Sequence, residues 1–210
     1  MLKKAVVLLF SVILVAFSVS VVLRCAIGVG AWDAFSQTAS GLLNIKVGTF
    51  SMAMNFFCVA MQMLILKEIK IALVLQVLLA IVLGVLVNFF YYELLGNWHI
   101  NSYVITLMLF LLGNISCAFA VGTVTAQNVI SFPLEGLCMA ISKKTSKSFG
   151  LIRQMADIVT MALVIVLVLA FDGLMSIREG TVIGMIIFGP LLELYMKRVV
   201  PIMYKFKIFD

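Results

Sequence analysis

A polar insertion interrupts the apolar sequence near its N-terminus: Gly28-Val-Gly-Ala-Trp-Asp-Ala-Phe-Ser-Gln-Thr-Ala-Ser-Gly-Leu-Leu43. Its polar side chains recur at the i, i+3, i+4, i+7 spacing that places them on one face of a helix: Asp33, Ser36, Gln37 and Ser40. Gly28 lies just before this segment and permits a sharp turn or a close backbone approach. The pattern predicts a short helix with a polar face, set between two long apolar runs.

A second insertion follows the same plan about one hundred residues later: Ser131-Phe-Pro-Leu-Glu-Gly-Leu-Cys-Met-Ala-Ile-Ser142. Pro133 suits the first turn of a helix, where its missing N–H costs little. Glu135 then lies in that turn, close to the positive end of the helix dipole. Three residue pairs repeat at an offset of 102 positions: Asp33 with Glu135, Gly48 with Gly150, and Asn55 with Asp157. The chain therefore reads as two similar halves.

The composition assigns this chain to the membrane. Its 210 residues are 64% hydrophobic and only 11% charged, and a soluble domain of this length must present a more polar exterior. The net charge of +6 does not indicate nucleic acid, because the basic residues cluster in short loops between apolar runs. The four cysteines lack metal-type or redox-type spacing, so we expect no metal site and no cofactor.

Run length predicts six membrane spans, at residues 5–23, 48–66, 71–92, 103–124, 152–171 and 180–196. Basic residues lie mainly on the cytoplasmic side of such proteins. With the N-terminus inside, that side holds twelve of them: Lys3, Lys4, Lys67, Lys70, Lys143, Lys144, Lys147, Arg153, Lys197, Arg198, Lys205 and Lys207. The outer side holds Arg24, Lys46 and Arg178. Both termini are thus predicted to be cytoplasmic.

The predicted fold is an all-α integral membrane protein in one transmembrane domain, residues 1–210. Six transmembrane helices form a 3+3 inverted repeat, with repeat 1 over about residues 5–95 and repeat 2 over about residues 103–200. Three is an odd number, so the second half enters the membrane upside down relative to the first. The insertions at 28–43 and 131–142 form short helices after helices 1 and 4. They either re-enter the membrane or lie flat at its surface, where Trp32 would be an aromatic anchor.

Polar groups within or beside the spans are candidates for a substrate or ion site: Asp33, Glu135, Arg153, Asp157, Asn55, Asn114, Trp32 and Gln37. A carboxylate inside a span is costly unless it is paired or hydrated, which makes Asp157 a functional candidate. The i, i+4 spacing also allows a purely structural ion pair between Arg153 and Asp157. Asn55 and Asn114 could equally hold helices together, as could Gln62 and Gln76. Gly189-Pro190 is expected to kink or interrupt the last helix.

The motifs Gly28-Val-Gly-Ala-Trp-Asp33 and Val47-Gly-Thr49 resemble the first-half signature of the YczE/YyaS/YitT group of bacterial membrane proteins. In the second half, four further elements resemble that group's pattern: Glu135-Gly136, Ile152-Arg153, Asp157 and Gly189-Pro190. Ser131-Phe-Pro-Leu134 departs from it, because the group's glycine and arginine before the acid are missing. The resemblance implies a multi-pass protein of the bacterial cell (inner) membrane, in a short form without the soluble C-terminal domain of longer members.

The function that these features favour is transport of a small solute or ion by a secondary transporter, coupled to protons or sodium. The protein would work alone or as one half of a homodimer, with Asp33 and Glu135 at the two mouths of the pathway and Asp157 as the coupling acid. Two alternatives stay open: a substrate-binding membrane subunit of a multicomponent transporter, and a lipid-handling or scaffold protein. No nucleophile motif or phosphate-binding loop indicates an enzyme. The sequence does not identify the substrate, the coupling ion or the direction of transport.

Overall fold

The computed structural model describes residues 2–68, 70–98, 100, 102–127, 130–171, 173 and 175–205. Lys207, counted above on the cytoplasmic side, lies outside this range. Eight α-helices follow one another in the described residues: α1 (Leu2–Cys25), α2 (Ala31–Leu42), α3 (Val47–Leu66), α4 (Ile71–Asn88), α5 (Tyr103–Ala126), α6 (Pro133–Thr145), α7 (Phe149–Phe171) and α8 (Glu179–Lys205). A π-helical turn, Phe89–Leu94, extends α4.

Six of these helices are long and apolar enough to cross a membrane: α1, α3, α4 with its π-helical turn, α5, α7 and α8. The six spans expected from run length are therefore confirmed, with ends shifted by a few residues. Large apolar side chains cover the outside of the bundle, as Leu78, Val166 and Leu169 illustrate. Such a surface is stable in lipid and would aggregate in water. The protein is a multi-pass membrane protein.

α8 is continuous, so one of the two outcomes expected for it, an interruption, does not occur. The Gly189-Pro190 pair does not interrupt it, because α8 is helical from Glu179 to Lys205. A proline removes one backbone hydrogen bond and crowds the preceding turn. Lipid leaves the backbone no other hydrogen-bond partner, which favours a helix that continues across such a local defect.

The two short helices, α2 and α6, share an unusual placement. Each follows a non-helical segment with a buried stretch, residues 27–29 and 130–132 respectively, and each is exposed just past its C-terminal end. α2 packs mainly against α7, and α6 packs mainly against α3. Each short helix thus contacts a long helix from the other half of the chain. These contacts between the two halves bring residues from both of them to the centre of the bundle.

Candidate functional site

The N-terminal ends of α2 and α6 define the site. Asp33 lies in the first turn of α2, and Glu135 in the first turn of α6. Neither helix has a side-chain cap, so the positive ends of both helix dipoles face the acids of their own first turns. Pro133 stands at the start of α6, where its fixed φ and missing N–H suit the helix. The sequence-based expectation for this turn is confirmed.

A buried amide network holds the start of α6 against the first half of the chain. Gln62 Nε2 on α3 donates hydrogen bonds to Gln76 Oε1 at 2.8 Å and to the Pro133 carbonyl at 3.0 Å. Gln76 Nε2 on α4 donates to Ser131 Oγ at 3.0 Å. The two glutamines therefore have the helix-joining role expected from the sequence. Gly136 leaves room for them, since a Cβ there would lie 2.6 Å from Gln62 Oε1.

The start of α2 is held in turn by the second half of the chain. Val29 N donates to Thr181 Oγ1 at 3.3 Å, and Gly180 N donates to the Ile27 carbonyl at 2.9 Å. Gly28 adopts a φ of +118°, which side chains rarely allow, and packs directly against α8. A Cβ at Gly28 would lie 2.6 Å from Thr181 N. The close backbone approach predicted for Gly28 is thus present.

Arg153 on α7 is the charged centre of the site. It is buried and forms an ion pair with Asp157 one turn later on the same helix. Its Nε lies 3.5 Å from Glu135 Oε1, yet that nitrogen has no hydrogen-bond partner. The guanidinium also lies over the ring of Phe188, 5.5 Å from its centroid. One cation therefore faces two buried carboxylates and keeps one N–H unused, which is costly unless something else satisfies it.

Two adjoining cavities surround this cluster, and six residues line both: Val19, Trp32, Asp33, Cys117, Arg153 and Phe188. The smaller cavity, of ≈ 60 Å³, reaches Asn114 and Asp157. The larger, of ≈ 100 Å³, reaches Ser36, Asn55 and Glu135. A water needs roughly 10–15 Å³ measured in this way. Each cavity can therefore hold several waters or a small ion.

Seven of the eight predicted site residues line these cavities: Asp33, Glu135, Arg153, Asp157, Asn55, Asn114 and Trp32. Gln37 does not. It lines a separate cavity with Ser176 and Arg178. The structure places Asp33 and Glu135 in the lining of one cavity rather than at two distant mouths.

Arg153 has to be removed from the count of cytoplasmic basic residues. The sequence count put it on the cytoplasmic side at the start of the fifth span, but it is buried within α7 and only 6% exposed. Its ion pairs hold its charge inside the protein, so it says nothing about which side is cytoplasmic. The other eleven predicted cytoplasmic residues still outnumber Arg24, Lys46 and Arg178.

A model of a family of unknown function, DUF6198, matches residues 2–197 of this chain. The chain belongs to this family. Neither the curated proteins nor the solved structures gave a match. The family match covers five candidate spans, all but the last residue of the sixth, and both short helices, so the site described above lies within the matched region.

Sequence reasoning missed several residues that line the cavities. Ser51 lies 102 positions before Arg153, so the internal offset could have identified it. Cys117 follows Asn114 by three residues, which places both on one face of α5. Ser36 was recognised as part of the polar face of α2 but not as a site residue. Phe188 carried no sequence signal, because an aromatic residue in a span is ordinary.

Proposed function

We propose that this protein is a secondary transporter of a small solute or ion. One observation carries the proposal: the N-terminal ends of two short helices meet at the larger of two adjoining cavities inside a bundle of six spans, and four buried charged residues line the two cavities: Arg153, Asp157, Asp33 and Glu135. Short helices that end at membrane depth, with their positive ends facing the site, are typical of transporter binding sites. Carboxylates at such depth are costly and are generally retained for function.

The proposal includes an inverted repeat with α2 and α6 entering the membrane from opposite sides. Its support is a constant offset of 102 residues. Helices α2 and α6 begin at Ala31 and Pro133, α3 and α7 begin at Val47 and Phe149, and two left-handed residues that follow the short helices are Asn44 and Ser146. The packing is paired as well, since α2 contacts α7 while α6 contacts α3. Two halves related by a twofold axis in the membrane plane would produce this pairing.

We further propose that the protein lies in a bacterial cell membrane with both termini cytoplasmic. The excess of basic residues on one side of the six spans supports this orientation. We also propose that the chain is related to the YczE/YyaS/YitT group. The support is the resemblance of its motifs that end at Asp33, Thr49 and Arg153. In this arrangement α2 would enter from outside and α6 from inside.

The proposed mechanism follows from the charge balance at Arg153. In the closed arrangement its guanidinium pairs with both Asp157 and Glu135, which come from two different helices. A substrate or coupling ion that binds one of these acids, or Asp33, would weaken its attraction to Arg153. Movement of α6 relative to α7 would then open the cavity to one side at a time. Asp157 serves as the coupling acid, and Asn55 and Asn114 contribute neutral donors and acceptors.

Flux through reconstituted protein tests the proposal. Purified protein in liposomes would be screened for uptake of small ions and metabolites, with Asp157→Asn as the variant. The matched control is Glu93→Gln, which neutralises an exposed acid on the π-helical turn, away from both cavities. Uptake in the parent and in the control, with loss in Asp157→Asn, would support it. Equal flux in all three would remove Asp157 from the mechanism, and no flux for any substrate would contradict transport by this chain alone.

Co-purification with an ATPase subunit, combined with no flux, would favour the substrate-binding subunit of a multicomponent transporter. A scaffold protein is disfavoured because, of the four buried polar side-chain atoms without a hydrogen-bond partner in the described residues, two belong to residues that line the larger cavity: Ser36 Oγ and Arg153 Nε. A protein with no ligand would gain stability by pairing or losing such groups.

A further inference from the structure

We infer that the larger cavity binds one monovalent cation, coordinated by oxygen atoms around Asp33. The inference rests on the proposed function, because it names the class of ion that the transporter site takes. It starts from the charges that meet in the two cavities. Asp33, Glu135 and Asp157 carry three negative charges when ionised, and Arg153 carries one positive charge.

The positive ends of the two short helices do not balance these negative charges. Each N-terminal end is equivalent to roughly half a positive charge, so α2 and α6 together supply about one more. The balance remains short by about one positive charge. Among the ion pairs of the described residues, Arg153 is shared by Glu135 and Asp157, and none involves Asp33. Asp33 is therefore the carboxylate at which a positive charge is missing.

An unsatisfied hydroxyl points to the same place. Ser36 lies one turn after Asp33 on α2, is only 1% exposed and lines the larger cavity. Its Oγ has no hydrogen-bond partner. A buried hydroxyl without a partner costs about 1–3 kcal/mol unless a ligand or water occupies the space beside it. Asp33 and Ser36 therefore both line this cavity, where, among the described residues, Asp33 forms no ion pair and Ser36 Oγ has no hydrogen-bond partner.

The remaining lining suits a single small cation. Asn55 and Ser51 on α3 add an amide and a hydroxyl to the same cavity. Oxygen ligands of this kind suit hard cations. In the described part of the chain, no group of three or more histidine, cysteine, aspartate or glutamate side chains is arranged to hold a metal ion. A monovalent ion needs fewer formal charges than a divalent one, and ≈ 100 Å³ holds it with part of its hydration shell.

The source of this charge is either an inorganic ion or a small protonated amine. The fluorescence of Trp32 can detect binding of either kind of cation, because Trp32 lines both cavities and is next to Asp33 in the chain. The other tryptophan, Trp98, lies outside the spans and is 38% exposed. The variant Trp98→Phe would leave Trp32 as the sole tryptophan, so selective tryptophan excitation would report on it alone. Purified Trp98→Phe protein would be titrated with sodium, potassium, ammonium and methylammonium chlorides, at ionic strength held constant with bulky N-methylglucamine chloride.

We expect a saturable change in Trp32 fluorescence with at least one of these cations, and none with magnesium. The sodium and potassium arms separate an inorganic ion from the amines. In the same background, Asp33→Asn should weaken binding about tenfold or more, equivalent to roughly 1.4 kcal/mol. Ser36→Ala removes only the unpartnered hydroxyl, so it should weaken binding several-fold without lowering the thermal midpoint. Glu93→Gln should bind as the parent does.

The absence of a saturable response to every monovalent cation would overturn the inference, as would equal affinity in the parent, Asp33→Asn and Ser36→Ala. A response to pH alone would also overturn it, because a proton would then supply the missing charge. If Asp33→Asn does not fold, Ser36→Ala decides the matter. Cation binding without flux in liposomes would support this site and contradict transport. Flux that does not depend on any cation tested would support transport and contradict this site.

Discussion

The Arg153 guanidinium on α7 lies 3.5 Å from the Glu135 carboxylate on α6, and it also pairs with Asp157 on its own helix. All three side chains are buried. The contact joins a short helix that starts inside the bundle to a long membrane-spanning helix. It thereby connects the position of α6 to the charge state of the cavities.

Replacing Arg153 with methionine should strongly destabilise the protein. Loss of the cation leaves two buried carboxylates without their partner, and breaking a buried pair in this way costs about 3–5 kcal/mol. Thermal unfolding in detergent, followed by circular dichroism, should show a markedly lower midpoint. The triple variant Arg153→Met, Glu135→Gln, Asp157→Asn should recover much of the loss, because no unpaired charge remains. An unchanged midpoint in the single variant would contradict this account of the cluster.

Gly136→Ala should loosen the start of α6. The added Cβ would lie 2.6 Å from Gln62 Oε1 and 2.8 Å from Gln76 Nε2, so the amide network must shift. Overpacking of this kind costs about 1–3 kcal/mol. The matched control is Gly189→Ala, where the nearest atom, Gln154 Cγ, is at 4.0 Å. Denaturant unfolding should separate the two variants, and equal stability would show that the network tolerates the added methyl group.

Gly28→Ala should disrupt the junction between α1 and α2. Its φ of +118° is strained for alanine, and the Cβ would meet the Thr181 backbone nitrogen. We expect a loss of roughly 1–3 kcal/mol in unfolding free energy. Ala26→Gly supplies the opposite comparison, since Ala26 has a φ of +54° and is exposed, so glycine there should be neutral or stabilising. Two variants of equal stability would argue against the tight contact with α8.

Residues 45 and 147 should lie on opposite sides of the membrane if the repeat is inverted. Ile45 follows α2 and Lys147 follows α6 at the 102-residue offset, and both are exposed. Ile45→Cys and Lys147→Cys would be made in a background without the four native cysteines and labelled with an impermeant thiol reagent. We expect labelling of Ile45→Cys from outside only, and of Lys147→Cys only after the membrane is permeabilised. Labelling of both from one side would rule out the inverted arrangement.

Much of the architecture could be predicted from local sequence. Apolar run length is a property of consecutive residues, and lipid requires each such run to form a helix that satisfies its own backbone. The six spans followed from that requirement. Pro133 and Glu135 marked the start of α6 for equally local reasons. The 102-residue offset then brought Asp33, Glu135 and Asp157 forward as candidates.

The pairing of side chains depended on tertiary contacts. Periodicity placed Ser36 and Gln37 on one face of α2, yet Ser36 lines the larger cavity and Gln37 lines a separate one. The sequence predicted the pairing of Arg153 with Asp157 on one helix, but no local pattern reveals that α6 brings Glu135 to the same arginine.

The sequence alone determined the membrane setting, the six helical spans and the polar positions repeated in the two halves, because each depends on the solvation of neighbouring residues. Only the tertiary structure decided that α2 and α6 exchange partners between halves and that Asp33, Glu135 and Arg153 share one cavity. Contacts between residues a hundred positions apart depend on how the helices pack, and the order of residues along the chain does not specify them locally.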